Sequence, residues 1–341
     1  MNKNLSDNLN YKTLLKQIGS TYNTHKTKAA KAINKEILQT YWKIGEHIIE
    51  FEQQGKLKAE YGKKLLIQLA KDLKIELGKG FSRSNLYQMR LFYLKYQKIQ
   101  TVSGELSWSH YVELLSISDD LERSFYEKQI LIESWSVREL KRQKKTALFQ
   151  RLALSKNKDG ILELAKTGRE IKTPEDLTKD PYIFEFLGFS EKNIFSESEL
   201  ELKLLDKLQE FLLELGKGFA FIGRQYRITL NNRHFRVDLV FYHYILKCFV
   251  LIDLKVDKLK YHDIGQMNMY INYFKAEESR VDDNEPIGII LTTDKDEILV
   301  EYATGGMTNQ LFISKYQVYL PDKTILEEAV RKILETDDNK E

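Results

Sequence analysis

The chain has 341 residues, 42% of them hydrophobic and 30% charged, with four prolines and one cysteine. That length and apolar content suit two domains with real cores, and the single Cys248 excludes a disulfide framework or a cysteine-rich zinc site and suits a reducing compartment. The net charge is only +3, but the first 150 residues carry +10 and the remaining 191 carry −7, so any polyanion partner is expected at the first half.

The opening stretch MNKNLSDNLNYKTLL is polar, without the apolar core of a signal peptide, and no apolar run reaches membrane-spanning length. A cytoplasmic protein with no membrane partner is therefore expected. Residues 11–53 repeat apolar side chains at helical spacing, among them Ile33, Ile37, Tyr41, Ile44 and Ile48. A second helix is predicted over 58–75, ending at Leu77-Gly78-Lys79-Gly80, where the glycines suit a helix stop. FSRSNLYQMRLFYLKY (81–96) follows, with Ser82 as a good N-cap and an apolar stripe of Leu86, Met89, Phe92, Tyr93 and Tyr96.

Helix, Gly-containing turn and helix is the helix-turn-helix pattern. It makes Arg83, Asn85, Gln88 and Arg90 candidate contacts to DNA bases or phosphates. An ordinary helical hairpin has the same pattern. LSWSHYVELLSI (106–117) and a helix near 119–133 come next. SWSVRELKRQKKTALFQRL (134–152) then reads as one capped helix. Its Arg138, Lys141, Arg142, Lys144 and Arg151 either line a phosphate backbone or form a solvated face. The predicted organisation is a helical, nucleic-acid-binding domain over 1–165, a junction over 166–190 and a second domain over 191–341.

In the second domain, ESELELKLLDKLQEFLLE (197–214) is one amphipathic helix by its apolar spacing. Three strands follow at 219–230, 234–243 and 247–255, joined by short connections as an antiparallel meander. A helix is expected over 263–276, then a fully buried strand at 286–293. Residues 311–321 are expected to add an edge strand. The core order is α-β-β-β-α-β, within an α+β chain of two domains.

Strand side chains alternate, so Asp253 and Lys255 share a face at a strand end, with Asp238 opposite or nearly so on the preceding strand. Gln266 and Tyr270 are four apart and share a helix face. Two neighbouring carboxylates resist joint ionisation, and a divalent cation reverses that penalty. Oxygen ligands favour Mg²⁺ or Mn²⁺, which polarises a phosphodiester while a lysine stabilises developing charge. Asp72-Leu-Lys74 and Glu201-Leu-Lys203 repeat the Asp/Glu-x-Lys spacing but lie in helical patterns. No P-loop and no paired-histidine metal motif occurs among the six histidines.

At these residues the chain resembles the PD-(D/E)XK nuclease superfamily, with its α-β-β-β-α-β core, an acid on one strand and D/E-x-K on the next. Over nearly its whole length it resembles the YhcG family of predicted bacterial nucleases. GFSRSNLYQMRLFY and SWSVRELKRQ are similar to that family's N-terminal winged-helix-like domain. FLLELGKGFAFIGRQYR, VDLVFYHYILKCFVLIDLK, GQMNMYINYF and PIGIIL are similar to its nuclease domain.

The resemblance implies that Asp238 and Asp253 are metal ligands, that Lys255 is the catalytic lysine, and that Gln266 and Tyr270 form a Q-x-x-x-Y signature positioning the site. It also implies a completing glutamate from the first helix, Glu201 ahead of Glu197. The sequence departs from the motif at Val237, where the family carries a proline, a position that serves backbone shape. A Mg²⁺- or Mn²⁺-dependent deoxyribonuclease is the implied activity, with RNA a further candidate substrate and a homodimer a further expectation. The alternative is a catalytically silent DNA- or protein-binding component of a restriction or phage-defence system.

Overall fold

A computed structural model describes residues 9–54, 59–98, 102–189, 195–294, 300 and 310–336. The polar N-terminal stretch that shaped the cytoplasmic expectation begins outside these residues. The chain divides into two compact units, 1–123 and 124–341. Cut there, the charge asymmetry persists, at +7 and −4.

The first unit is helical. Its elements are α1 (Leu9–Gln54), α2 (Ala59–Glu76), α3 (Arg83–Lys95), α4 (Trp108–Leu115) and the start of α5 (Asp120–Glu133). Leu86 and Met89 of α3 pack with Ile48 of α1 and Leu66 of α2. Gly45 permits that approach, because a Cβ there would sit 2.2 Å from the Met89 carbonyl oxygen. Ser82 caps α3 as predicted, its Oγ accepting from the Asn85 backbone N–H at 3.2 Å, an arrangement that stabilises by about 1 kcal/mol. Among the described residues this unit holds helices and no strand, and so no β-wing.

The second unit begins within α5 and continues through α6 (Val137–Lys145), α7 (Leu148–Ala153) and α8 (Lys158–Thr167). The single helix expected over 134–152 is two, because Ala147 takes a left-handed conformation, φ +51°, that no helix propagates. The expected junction is part of this unit and supplies β1 (Tyr182–Ile183).

The helix expected over 197–214 is likewise divided at Lys207 into α9 (Glu197–Asp206) and α10 (Leu208–Leu215). Then come β2 (Phe219–Leu230), β3 (Arg233–His243), β4 (Cys248–Lys255), α11 (Tyr261–Tyr273), β5 (Ile287–Thr292), β6 (Leu311–Gln317) and α12 (Lys323–Thr336).

The strands form one mixed sheet in the order β1-β6-β5-β4-β3-β2. β2, β3 and β4 are the expected antiparallel meander; β5 is parallel to β4, and β6 to β5. β6 is not the edge, because the two-residue β1 pairs alongside it.

Each face of the sheet is covered. Leu239, Phe241, Val250, Ile252, Leu254, Ile289 and Leu291 pack with Leu200 and Leu204 of α9 and Phe211 and Leu215 of α10. Val237, Val240, Leu251 and Ile290 pack with Ile264, Met267, Tyr270, Ile271 and Phe274 around α11. Gly288 lets α11 lie close to the sheet, since a Cβ there would meet Met267 Cγ at 2.6 Å. Burying each large apolar side chain contributes about 1.5–3 kcal/mol, which fixes strand register. No helix among the described residues is long and apolar enough to cross a membrane.

Candidate active site

The β3–β4 ladder ends at Leu239 opposite Ile252. One residue beyond, the same register sets Asp238 across from Asp253. The strands do not continue their ladder there; the Asp238 carboxylate accepts from the Leu254 backbone N–H at 2.9 Å through Oδ2. Alternation along β4 puts Asp253 and Lys255 on one side of the strand. Lys255 Nζ stands 2.7 Å from Asp253 Oδ2. The pair predicted from the Asp-x-Lys spacing is thus made at the C-terminal end of β4.

Ser196 starts α9 with a reciprocal cap, its Oγ accepting from Glu199 N and its own N–H donating to the Glu199 carboxylate. That start sets the helix phase that sequence periodicity leaves open. Glu197 and Glu201 then lie one turn apart on the same side. Glu197, half exposed, reaches Lys255 Nζ at 3.8 Å. Glu201, buried, accepts from Gln225 Nε2 at 2.7 Å, and the same amide nitrogen donates to Asp238 Oδ1 at 3.0 Å. Glu201 is therefore the glutamate brought to Asp238, and Glu197 the one brought to the lysine.

Gln225 is a residue the sequence reading missed. Alternation in β2 gives no warning of it, because a bulge between Phe221 and Gly223 breaks the strand's period.

Gln266 and Tyr270 share a face of α11 as expected. Gln266 Nε2 donates to Tyr270 Oη, and Tyr270 Oη donates to the Arg236 carbonyl oxygen at 2.9 Å. Arg236 is two residues before Asp238, so this chain of contacts ties α11 to the N-terminal half of β3. His262 is mostly exposed and meets Asp263, not the carboxylates of β3 and β4.

The electrostatics of the cluster are strained. Burial, and then the neighbouring Asp238, push the Asp253 carboxyl up to about 7, against the pull of Lys255. Burial also raises Glu201, with Asp238 adding to it. Burial works against charge on Lys255, but Asp253, Glu197 and Asp238 outweigh it and hold the ammonium above its ordinary range. The lysine is therefore a fixed cation at neutral pH, set among more carboxylates than it can neutralise. Among the described residues no three acidic, histidine or cysteine side chains stand at metal-binding spacing. The donor set nonetheless suits a hard divalent cation, being all oxygen and carrying surplus negative charge.

The predicted DNA contacts divide. Arg83 is exposed at the start of α3, and Lys141 is exposed on α6. Arg90 pairs with Glu52 at 2.8 Å. Asn85 donates to the Gly80 carbonyl oxygen and accepts from Trp108 Nε1, and Gln88 is half-buried. Arg142 differs most from expectation: it turns into the fold, pairing with Glu214 at 3.1 Å and with Glu185 at 3.4 Å. Arg151 does the same, 3.1 Å from the other Glu214 oxygen. Helix periodicity places both on a basic face, but only the packed structure supplies the buried acid that claims them.

A carboxylate pair, a strand-end lysine and a covering helical glutamate on an α-β-β-β-α-β core are the features of a PD-(D/E)XK nuclease domain. Residues 175–332 match the YhcG PDDEXK nuclease domain, and residues 17–151 match the DUF1016 N-terminal domain. The chain is 40% identical over 339 residues, covering 90% of each protein, to "Putative nuclease YhcG" of Escherichia coli (strain K12). It belongs to the YhcG family. A repair endonuclease from Pyrococcus abyssi aligns over 39% of this chain and 50% of its own, at 19% identity and TM-score 0.26, a superposition too loose to carry inference.

Proposed function

We propose that this protein is a divalent-metal-dependent nuclease that hydrolyses phosphodiester bonds of DNA, with its first unit binding the nucleic acid. The observation that carries this reading is the convergence of Asp238, Asp253 and Lys255 at the end of β4, under Glu201. Hydrolysis adds water across one P–O ester bond, leaving a phosphate on one fragment and a hydroxyl on the other.

Asp238, Asp253 and Glu201 are the residues that would hold the metal, Mg²⁺ or Mn²⁺. When bound, the ion supplies Lewis-acid polarisation of the phosphodiester. Lys255 stays an ammonium at working pH and is fixed by Asp253, so it meets negative charge developing on the phosphate without having to reorganise. Gln266 and Tyr270 brace the strand that carries Asp238. The +7 charge of the first unit supports attraction of a phosphate backbone, with Arg83 on its exposed surface.

The test is cleavage of supercoiled plasmid and single-stranded DNA with Mg²⁺ or Mn²⁺, comparing wild type with Asp253→Ala and Lys255→Ala. Metal-dependent cutting by wild type, lost in both variants, is the expected result. Equal cutting by either variant would sink the assignment. RNA substrates in the same assay decide DNA against RNA.

A further inference from the structure

Gln225 lies inside β2, yet its φ is +47°, a left-handed value that L side chains adopt at an energetic cost. The β2–β3 ladder pairs Arg224 with Leu239 and Tyr226 with Val237, which sets Gln225 across from Asp238. The side chain uses that placement fully. Its Nε2 donates to Glu201 Oε2 at 2.7 Å and to Asp238 Oδ1 at 3.0 Å. An amide NH₂ has two protons, and each goes to one carboxylate. The opposite amide orientation would aim a carbonyl oxygen at two acids. The two carboxylates come from different layers of the fold, one from α9 and one from β3, and this amide joins them.

Deepening the metal-dependent reading above, on which it rests, we infer that Gln225 is a positioning residue that clamps Glu201 to Asp238 in the metal-free site and thereby sets its affinity for a divalent cation. The amide nitrogen takes the point on which both carboxylate oxygens converge, so a cation ligated by both must displace it. Charge-assisted hydrogen bonds of this kind stabilise the metal-free form alone. Removing them leaves the cation-bound form unchanged and the metal-free form less favourable, which tightens binding.

The experiment is a Mn²⁺ titration of the full chain by isothermal calorimetry, repeated as the shift of melting temperature with Mn²⁺ concentration. Wild type is compared with Gln225→Met, which keeps length without the amide, with Gln225→Gly, which accepts φ +47° without strain, and with Glu201→Ala. The expected result is Mn²⁺ binding about tenfold tighter in both Gln225 variants, a difference of about 1.4 kcal/mol, and weaker in Glu201→Ala. Binding seen only in the Gln225 variants supports the inference equally. Unchanged or weaker binding in both, with Glu201→Ala still impaired, overturns the clamp and leaves the metal reading standing. No Mn²⁺ binding by any of the four proteins overturns the metal reading and the clamp with it. Loss of fold in both Gln225 variants, read by circular dichroism, also overturns it, since Gln225 would then be a structural residue.

Discussion

Glu214 and Asp253 are both buried acids in the second unit, and the fold shifts them in opposite directions. Glu214 receives Arg142 Nη1 and Arg151 Nη1, each at 3.1 Å, and the Ile183 backbone N–H at 3.0 Å. Lys179 donates to its backbone carbonyl oxygen. Burial alone would raise its carboxyl, but Arg151, Lys179 and Arg142 outweigh burial and hold it at about 2. Asp253 has one lysine and a second carboxylate beside it, and is pushed up to about 7. In the first cluster each negative charge is matched by protein cations, and the cluster ties α6 and α7 to α10 and β1. In the second, negative charge is in surplus at a strand end. A matched cluster has nothing left to bind; a surplus one gains from an added cation. Burial and charge are common to both, so neither marks a functional site by itself. The balance of charges does.

The sharpest way to break this contrast is Glu214→Ala. It removes the carboxylate that two buried guanidinium groups share, and removing one partner of such a network costs roughly 3–5 kcal/mol. Chemical denaturation measures it, and a loss below about 1 kcal/mol would end the structural reading of that cluster. Asp253→Asn is expected to behave in the opposite way. It removes a charge that burial disfavours, so the variant melts no lower than wild type in metal-free buffer. Its cleavage rate falls by about 10²–10³ or more, the scale of losing one preorganised charge-stabilising group.

The third test is pH. The Glu214 carboxyl has a folded value of about 2 against an ordinary 4.5. Its stabilisation is therefore fully present above about pH 4.5 and is lost as pH falls toward 2. An acid titration of stability is expected to be steep over that window in wild type and flatter in Glu214→Gln. The smallest effect separates two arginines that the sequence presents alike. Arg83→Ala is expected to lower DNA affinity a few-fold and reduce the slope of log affinity against log salt by about one. Arg142→Ala is expected to lower the melting temperature and leave that slope unchanged.

Periodicity and turn chemistry made much of this legible. The meander of β2 to β4 follows from short connections, the buried β5 from its unbroken apolar run, and the cap at Ser82 from its side-chain oxygen; the shared faces of Asp253 with Lys255 and of Gln266 with Tyr270 follow from spacings of two and four. What stayed hidden has local physical causes. A left-handed residue at Ala147 and a break at Lys207 divide helices whose apolar stripes run on unchanged. A two-residue strand such as β1 is too short to show any alternation. A bulge in β2 removes the phase needed to see Gln225.

The sequence by itself determined the order of elements, the strand-end Asp-x-Lys and the division of charge along the chain, because each depends on neighbours a few residues apart. Which glutamate of α9 meets Asp238, that Gln225 bridges the two, and that Arg142 serves Glu214 instead of a solvent-facing surface were decided only by tertiary structure. Those contacts join residues 13 to 72 positions apart, and their partners are set by how helices and sheet pack, which no local periodicity encodes.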